Sequence, residues 1–325
     1  MIFLLLWSMC YAGGPISWTP LEKLDLAFPV NMKISPDGRI FVVDSGNHRV
    51  HVLAADGSGV GGFGRKGQGP GEFERPAGLG FLSGGRILVS DEGNNRLHIF
   101  DAEGRFLKNI VIPNQSVNDL VVLPGDEIVL TKGVGRNFTI GEQKAPHRFS
   151  RWTEDGRLLG EFGSGLSHEN PLLAAMLNKG NLGVWENKIF YAGMITNELI
   201  VYEGDKSRNA AYPAGFEARE PSAKMRREPQ SDGSISFKLS VEADLLCKAI
   251  AVVAADELMM LRATSNGEDL DYIPLQLVRL RHDGTVLELI REELSAEVMA
   301  ISPDRGRLFF LREGENFWDL GLMDL

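Results

Sequence analysis

The sequence predicts an all-β fold: a six-bladed β-propeller of four-stranded antiparallel blades, its ring closed by the N-terminal strand. Three observations carry that expectation. First, the stretch VVDSGNHRVHVLAADG, from Val42 to Gly57, returns one unit later as VSDEGNNRLHIFDAEG, from Val89 to Gly104. Self-similarity at such a period marks a repeat architecture. Second, short apolar runs bounded by turn residues recur along the rest of the chain at strand-like spacing. Third, the last unit stops one strand short, while residues 16–21 belong to no unit.

In chain order, residues 1–12, MIFLLLWSMCYA, are apolar and end in small residues. They are too few to span a bilayer as a helix. They read as a secretory signal peptide cleaved after Ala12, although no Lys or Arg precedes the run. A lipid anchor through Cys10 fits less well, because bulky Trp7 and Met9 precede it, and a buried first strand is the structural alternative. Residues 13–325 then form a single propeller domain. Removing Cys10 would leave Cys247 alone, so no disulfide framework is expected.

The first strands of the six units fall at 32–34, 79–82, 120–123, 182–185, 249–253 and 298–301. Second strands follow at 40–42, 87–89, 128–130, 189–191, 258–260 and 308–310. Third strands ending in Asp-Gly type turns lie at 50–53, 97–100, 149–152, 199–202 and 275–280. Fourth strands are legible at 106–110, 158–162 and 286–290. The sixth unit offers 298–301, 308–311 and 320–323 and then ends. Residues 16–21 supply its missing outer strand, because an unpaired edge between first and last blades is a liability that closure removes.

Val42-Val43-Asp44-Ser45-Gly46-Asn47-His48-Arg49-Val50 resembles the strand–turn–strand core of NHL repeats. Gly69-Pro70-Gly71-Glu72-Phe73-Glu74-Arg75-Pro76 is similar to the glycine-rich link of that family. The resemblance covers residues 28–110 and fades beyond; the third unit keeps only Asp155-Gly156-Arg157 and Phe162-Gly163. It implies a propeller and a binding role, without implying one chemistry.

The repeated residues read as scaffold, since a catalytic group is not needed in every blade. Asp44 and Asp91 suit acceptance of backbone N–H groups in the turn. Arg49 and Arg96 are placed to reach those carboxylates or a neighbouring blade. His51 and His98 alternate with apolar neighbours and so are expected to point away from the apolar side.

Function is expected where the repeat breaks. Loops between second and third strands, and links between blades, share one face of a propeller. Insertions there span 131–148, 163–180, 212–246 and 263–274, the third with room for a short helix. Long loops in a compact domain are often functional. Candidate ligand-binding residues are Arg136, His147, Arg148, Arg226, Arg227, Asp271 and Tyr272. Basic and acidic insertions would converge as a cleft for a polar or anionic ligand. The centre of the ring is the other candidate. Asn31, Asp119, Asn181 and Glu297 come near one end of the channel, with Lys248 beside them. Ca²⁺ takes six to eight such oxygens, and some six-bladed propeller enzymes hold a cation there; a water-filled polar channel is the plainer outcome.

The formal charge of -10, from 44 acidic and 34 basic side chains, argues against general nucleic-acid affinity. No other segment is apolar enough to cross a membrane, and no nucleotide loop, zinc motif or nucleophile elbow appears. The reading is therefore a secreted or periplasmic, non-catalytic binding module, with no cofactor, for a protein, peptide or glycan. A metal-dependent hydrolase or lyase, with His147 or His168 as general base beside a channel cation, is the alternative, and a scaffold within an envelope assembly a third.

Overall fold

The computed structural model describes residues 14–113, 116–133, 147–168, 170–204, 206–210, 217–229, 235–264 and 273–325. Six four-stranded antiparallel sheets, each meandering from an inner to an outer strand, make the blades of a propeller. Their inner strands are Pro29–Ile34, Pro76–Phe81, Ser116–Leu123, Gly180–Trp185, Cys247–Ala254 and Val298–Ile301. The outer strand of blade 6 is Ser17–Pro20, paired antiparallel with Trp318–Asp324, so the N-terminal strand closes the ring.

Blades hold together through their faces. Each of the six core clusters lies at one seam between neighbouring blades. At the seam of blades 6 and 1, Met32, Ile40 and Val42 meet Phe309, Leu311 and Leu320. Leu21 and Leu26, in the link leaving the closing strand, complete that cluster. The Trp318 indole donates to the carbonyl of Leu26 at 2.9 Å, and Leu21 N donates to Trp318 O at 2.7 Å.

Both faces of a blade are therefore covered, and alternation along a strand does not mark a solvent side. This corrects the expectation for the repeated histidines. His51 and His98 are buried, and His98 packs edge-on against Phe73 and Phe106. Each faces a buried aspartate, His51 with Asp44 at 3.4 Å and His98 with Asp91 at 3.3 Å.

Those aspartates tie each blade to the link that enters it. Asp44 accepts from the backbone N of Ala27, Phe28 and Asn47. Asp91 accepts from Glu74 N at 2.6 Å, and Arg96 bonds both to it and to the carbonyls of Gln68, Gly69 and Glu72. The side chain of Arg49, its repeat counterpart, makes no hydrogen bond or ion pair among the described residues.

Two outer strands escaped the sequence reading, Gly59–Phe63 and Lys206–Ala210. The first is glycine-rich and the second, KSRNA, almost wholly exposed, so neither carries an apolar period. Within 212–246, where the sequence left room for a short helix, the described residues form a two-stranded hairpin, Ser222–Pro229 with Ile235–Glu242, which pairs with no described strand of a blade. The helix, Pro171–Leu177, lies in the preceding insertion. Among the described residues, no helix is long and apolar enough to cross a membrane.

Two outcomes follow from this construction. Deleting residues 15–22 strips the outer strand and Leu21 from blade 6. We expect the thermal midpoint to fall by several degrees, since each lost hydrogen bond is worth roughly 1 kcal/mol; an unchanged melting curve would contradict closure.

The second concerns acid. Burial pushes His98 below its ordinary 6.5, against the pull of Asp91. Burial alone would raise Asp44 and Asp91, but the facing imidazoles of His51 and His98 and hydrogen bonds from the surrounding N–H groups outweigh it and hold both below the ordinary 3.8. Below pH 6.5 the unfolded chain binds a proton at His98 that the folded protein refuses; below 3.8 the same holds for the two aspartates. Stability should therefore decline in two stages as pH falls. Urea midpoints from pH 8 to 3 would show it, and His98→Gln should flatten the first stage.

Candidate functional site

The inner strands begin on the face that carries the insertions, and there the channel opens into a cavity of about 880 Å³. All six blades wall it. Below, Arg305, in the turn between the first two strands of blade 6, donates to the carbonyls of Val252 and Val184 on blades 5 and 4 and stacks on Trp185. That guanidinium ties three blades together at the far ends of their inner strands.

The mouth has a local cause in strand register. In four of the six inner strands the pairing slips by one residue at this level. Val30 is extra between the Pro29–Asp44 and Asn31–Val43 pairs. Ala77 and Gly78 oppose Ser90, Asn118 and Asp119 oppose Thr131, and Lys248 is extra before Ala249. A β-bulge of this kind re-aims side chains and bends the strand. In blade 3 the Thr131 hydroxyl fixes it, accepting from Asp119 N and donating to Asp119 O. The bulge thereby brings two consecutive polar residues, Asn118 and Asp119, to the cavity.

Asp119 is a carboxylate of the inner wall. It accepts from Asn31 Nδ2 at 3.1 Å, across the channel mouth from blade 1, and from Leu120 N at 2.8 Å. Burial raises its pKa; Lys33, the N–H groups of Leu120 and Leu182, and Asn31 pull the other way. Asn181 donates to Cys247 O at 3.2 Å. Lys248 pairs with Glu297 at 2.7 Å. Burial among apolar strands pushes the Cys247 thiol up to about 12, so it is no nucleophile near neutrality.

The channel residues singled out from sequence, Asn31, Asp119, Asn181 and Glu297, do line one cavity together with Lys248. They do not fit a Ca²⁺ ion in this arrangement. Asn31 presents its amide N–H to Asp119, Glu297 is engaged by an ammonium, and Lys33 and Lys248 put two positive charges in the same space. Among the described residues, no group of three or more His, Cys, Asp or Glu side chains is arranged to hold a metal.

The loop candidates scatter. Arg136, Asp271 and Tyr272 lie outside the described residues. Arg226 and Arg227 fall on the first hairpin strand. His147, exposed, opens the third strand of blade 3 opposite Ser164. His168 accepts from Asn170 N at 2.9 Å ahead of the short helix. Neither histidine lines the cavity.

Arg148 is not on an open loop: its side chain is wholly buried. It lies over Tyr191 at 4.4 Å from the ring centroid and bonds Glu198 at 3.0 Å and Asn178 at 3.4 Å. Asn178 in turn closes the helical insertion on itself, bonding both N and O of Leu166 and the carbonyl of Ala174. The guanidinium thus holds the third blade's insertion face to the fourth.

Sequence reasoning missed Lys33, Asn118 and Phe28, all on the cavity wall. The pair Asn118-Asp119 inside an otherwise apolar strand was the available signal, because two adjacent polar residues there break the alternation a regular strand requires.

A closed ring of six meandering blades with a ligand-sized mouth defines this chain as a six-bladed β-propeller. Two of its repeats are NHL repeats, matched at residues 26–53 and 73–100. No curated protein matches the sequence. Solved structures share the fold at low identity. A virginiamycin B lyase from Staphylococcus aureus is 14% identical, with 96% of this chain and 99% of that one covered, at a TM-score of 0.55. A gluconolactonase from Xanthomonas campestris is 15% identical over 96% and 90% of the two chains, at 0.59. The WD40 repeats of RRP9 are 11% identical over 95% and 97%, at 0.60. Enzymes and a WD40 repeat protein stand side by side, and identities this low show the fold alone.

Arg148→Ala should leave Glu198 without its cation and open the seam of blades 3 and 4. Loss of one partner of a fully buried pair costs about 3–5 kcal/mol; Glu198 is 27% exposed and keeps the Thr196 hydroxyl, so the cost here should be smaller. Chemical denaturation should register that loss, and a variant as stable as the parent would contradict the structural role.

Proposed function

We propose that this protein is a non-catalytic, extracytoplasmic binding module whose ligand, a protein, peptide or glycan, seats in the cavity at the channel mouth. The observation that carries the reading is the state of the polar groups there. Ionisable groups of the inner wall are engaged, Lys248 with Glu297 and Asp119 with the Asn31 amide. Hydrogen-bonding atoms on neighbouring positions are open to the cavity. A site with convergent polar groups and an apolar wall suits recognition. Among the described residues it offers no acid–base pair poised on a common point. The extracytoplasmic location rests on the apolar leader of residues 1–12, which lies outside the described residues.

Methionine methyl NMR tests the seat. Met194 and Met299 line the cavity, Met299 from the seam of blades 5 and 6, whereas Met260 and Met323 lie in seams and do not reach it. Pools of peptides and oligosaccharides containing a ligand should shift the first two signals. Lys33→Met should weaken binding about tenfold, one lost polar contact being worth about 1.4 kcal/mol. Arg96→Ala should instead lower the melting temperature and leave affinity per folded molecule unchanged. Shifts confined to the seam methionines, or affinity lost with Arg96 and kept with Lys33, would place the site elsewhere.

A further inference from the structure

We infer that the cavity at the channel mouth is built for a neutral, polyhydroxylated ligand, a saccharide. The inference rests on the cavity being the ligand seat. It starts from the hydrogen-bonding capacity that the fold leaves unused on the inner wall.

Asn31 must turn its Nδ2 toward the Asp119 carboxylate, because an amide oxygen cannot donate. Its Oδ1 is therefore the atom left over. The same logic holds for Asn181, whose Nδ2 faces the carbonyl of Cys247. Neither Oδ1 has a partner among the described residues, and neither is buried away from solvent, so both are open to the cavity. With the Asp119 carboxyl they present acceptors from blades 1, 3 and 4. Donors stand among them. The Lys33 ammonium is near enough to Asp119 to act on its charge, and the Asn118 side chain has no partner among the described residues.

Ligand classes can be sorted against this set. A carboxylate or phosphate would satisfy Lys33 but would face three acceptors with nothing to donate. An ammonium group would satisfy the acceptors but would stand against Lys33 and Lys248. A hydroxyl both donates and accepts, so it satisfies either kind of neighbour without bringing charge into a partly desolvated space. One hydroxyl cannot reach groups on three blades, and several on one rigid frame can. The wall supplies the matching apolar surface. Phe28, at the rim, is 64% exposed, and Val30, Met194 and Met299 line the cavity with it. C–H faces of a sugar ring would lie against them while its hydroxyl edge meets the amides. The bulges explain how one strand level can display this set: without the extra residue in blade 3, Asn118 and Asp119 could not both reach the cavity.

The test is an array of neutral and acidic oligosaccharides probed with the labelled protein, followed by calorimetric titration of the best neutral glycan. We expect that glycan to shift the methyl signals of Met194 and Met299. Asn118→Ala, which removes no hydrogen bond among the described residues, should weaken it at least fivefold. Asn181→Leu should weaken it at least tenfold, with circular dichroism and melting temperature recorded for both variants. Binding should change less than twofold between 50 and 500 mM NaCl, because no ion pair forms. Three results would overturn the inference: no glycan bound at 1 mM, a glycan that shifts only signals outside the cavity, or preference for acidic glycans with strong salt dependence. If glycans fail while a peptide pool shifts Met194 and Met299, the seat stands and the ligand class falls. If nothing shifts them, both fall.

Discussion

Each blade buries both of its faces against its neighbours, and on this mutual cover the rest of the structure depends. A four-stranded sheet with two apolar faces is not stable in water alone. It becomes stable when each face meets another sheet, and six such seams close only if the last blade meets the first. The chain meets that demand with residues that lie outside the repeat. Ser17–Pro20 completes the sheet of blade 6, and Leu21 and Leu26 enter the seam with blade 1. The termini are thus joined by hydrogen bonds along one edge and by apolar packing across it.

The polar groups of the NHL repeats serve the same end. A link between blades must leave the outer strand of one sheet and enter the inner strand of the next, with backbone N–H groups that no ladder satisfies. Asp44 and Asp91 accept those groups, and the buried histidines shield the carboxylates from water. Later blades use other devices. Between blades 3 and 4 the buried Arg148, with Glu198, Tyr191 and Asn178, anchors a longer insertion that includes the short helix. The repeat fades in sequence because different side chains perform the same task of fastening a link.

The cavity follows from how the ring ends on its insertion face. Regular pairing would carry each inner strand up to the mouth with one side chain per level. Bulges in blades 1, 2, 3 and 5 break that regularity at a common height. They widen the mouth and crowd amides, a carboxylate and two lysines into it. Arg305 draws the carbonyls of blades 4 and 5 together at the other end. The proposed ligand seat and the scaffold are therefore separated along the channel axis, not between loops and strands.

By itself, the sequence determined the six units, the strand order within them and the closing role of the N-terminal segment, because period, turn residues and apolar runs are local properties. It also brought Asn31, Asp119, Asn181 and Glu297 to one end of the channel, since equivalent positions of equivalent strands share a height in a ring. Tertiary structure alone decided what those residues do. Whether Asn31 offers nitrogen or oxygen to the cavity depends on Asp119, which is far away in the chain and adjacent only when the ring closes. Arg148 reads as an exposed loop cation until Glu198 and Tyr191, on the next blade, enclose it. His51 and His98 read as solvent-facing until the neighbouring blade covers the second face of the sheet. In each case the deciding partner belongs to another blade or the link that precedes it, and the pairing exists only because packing brings them into contact.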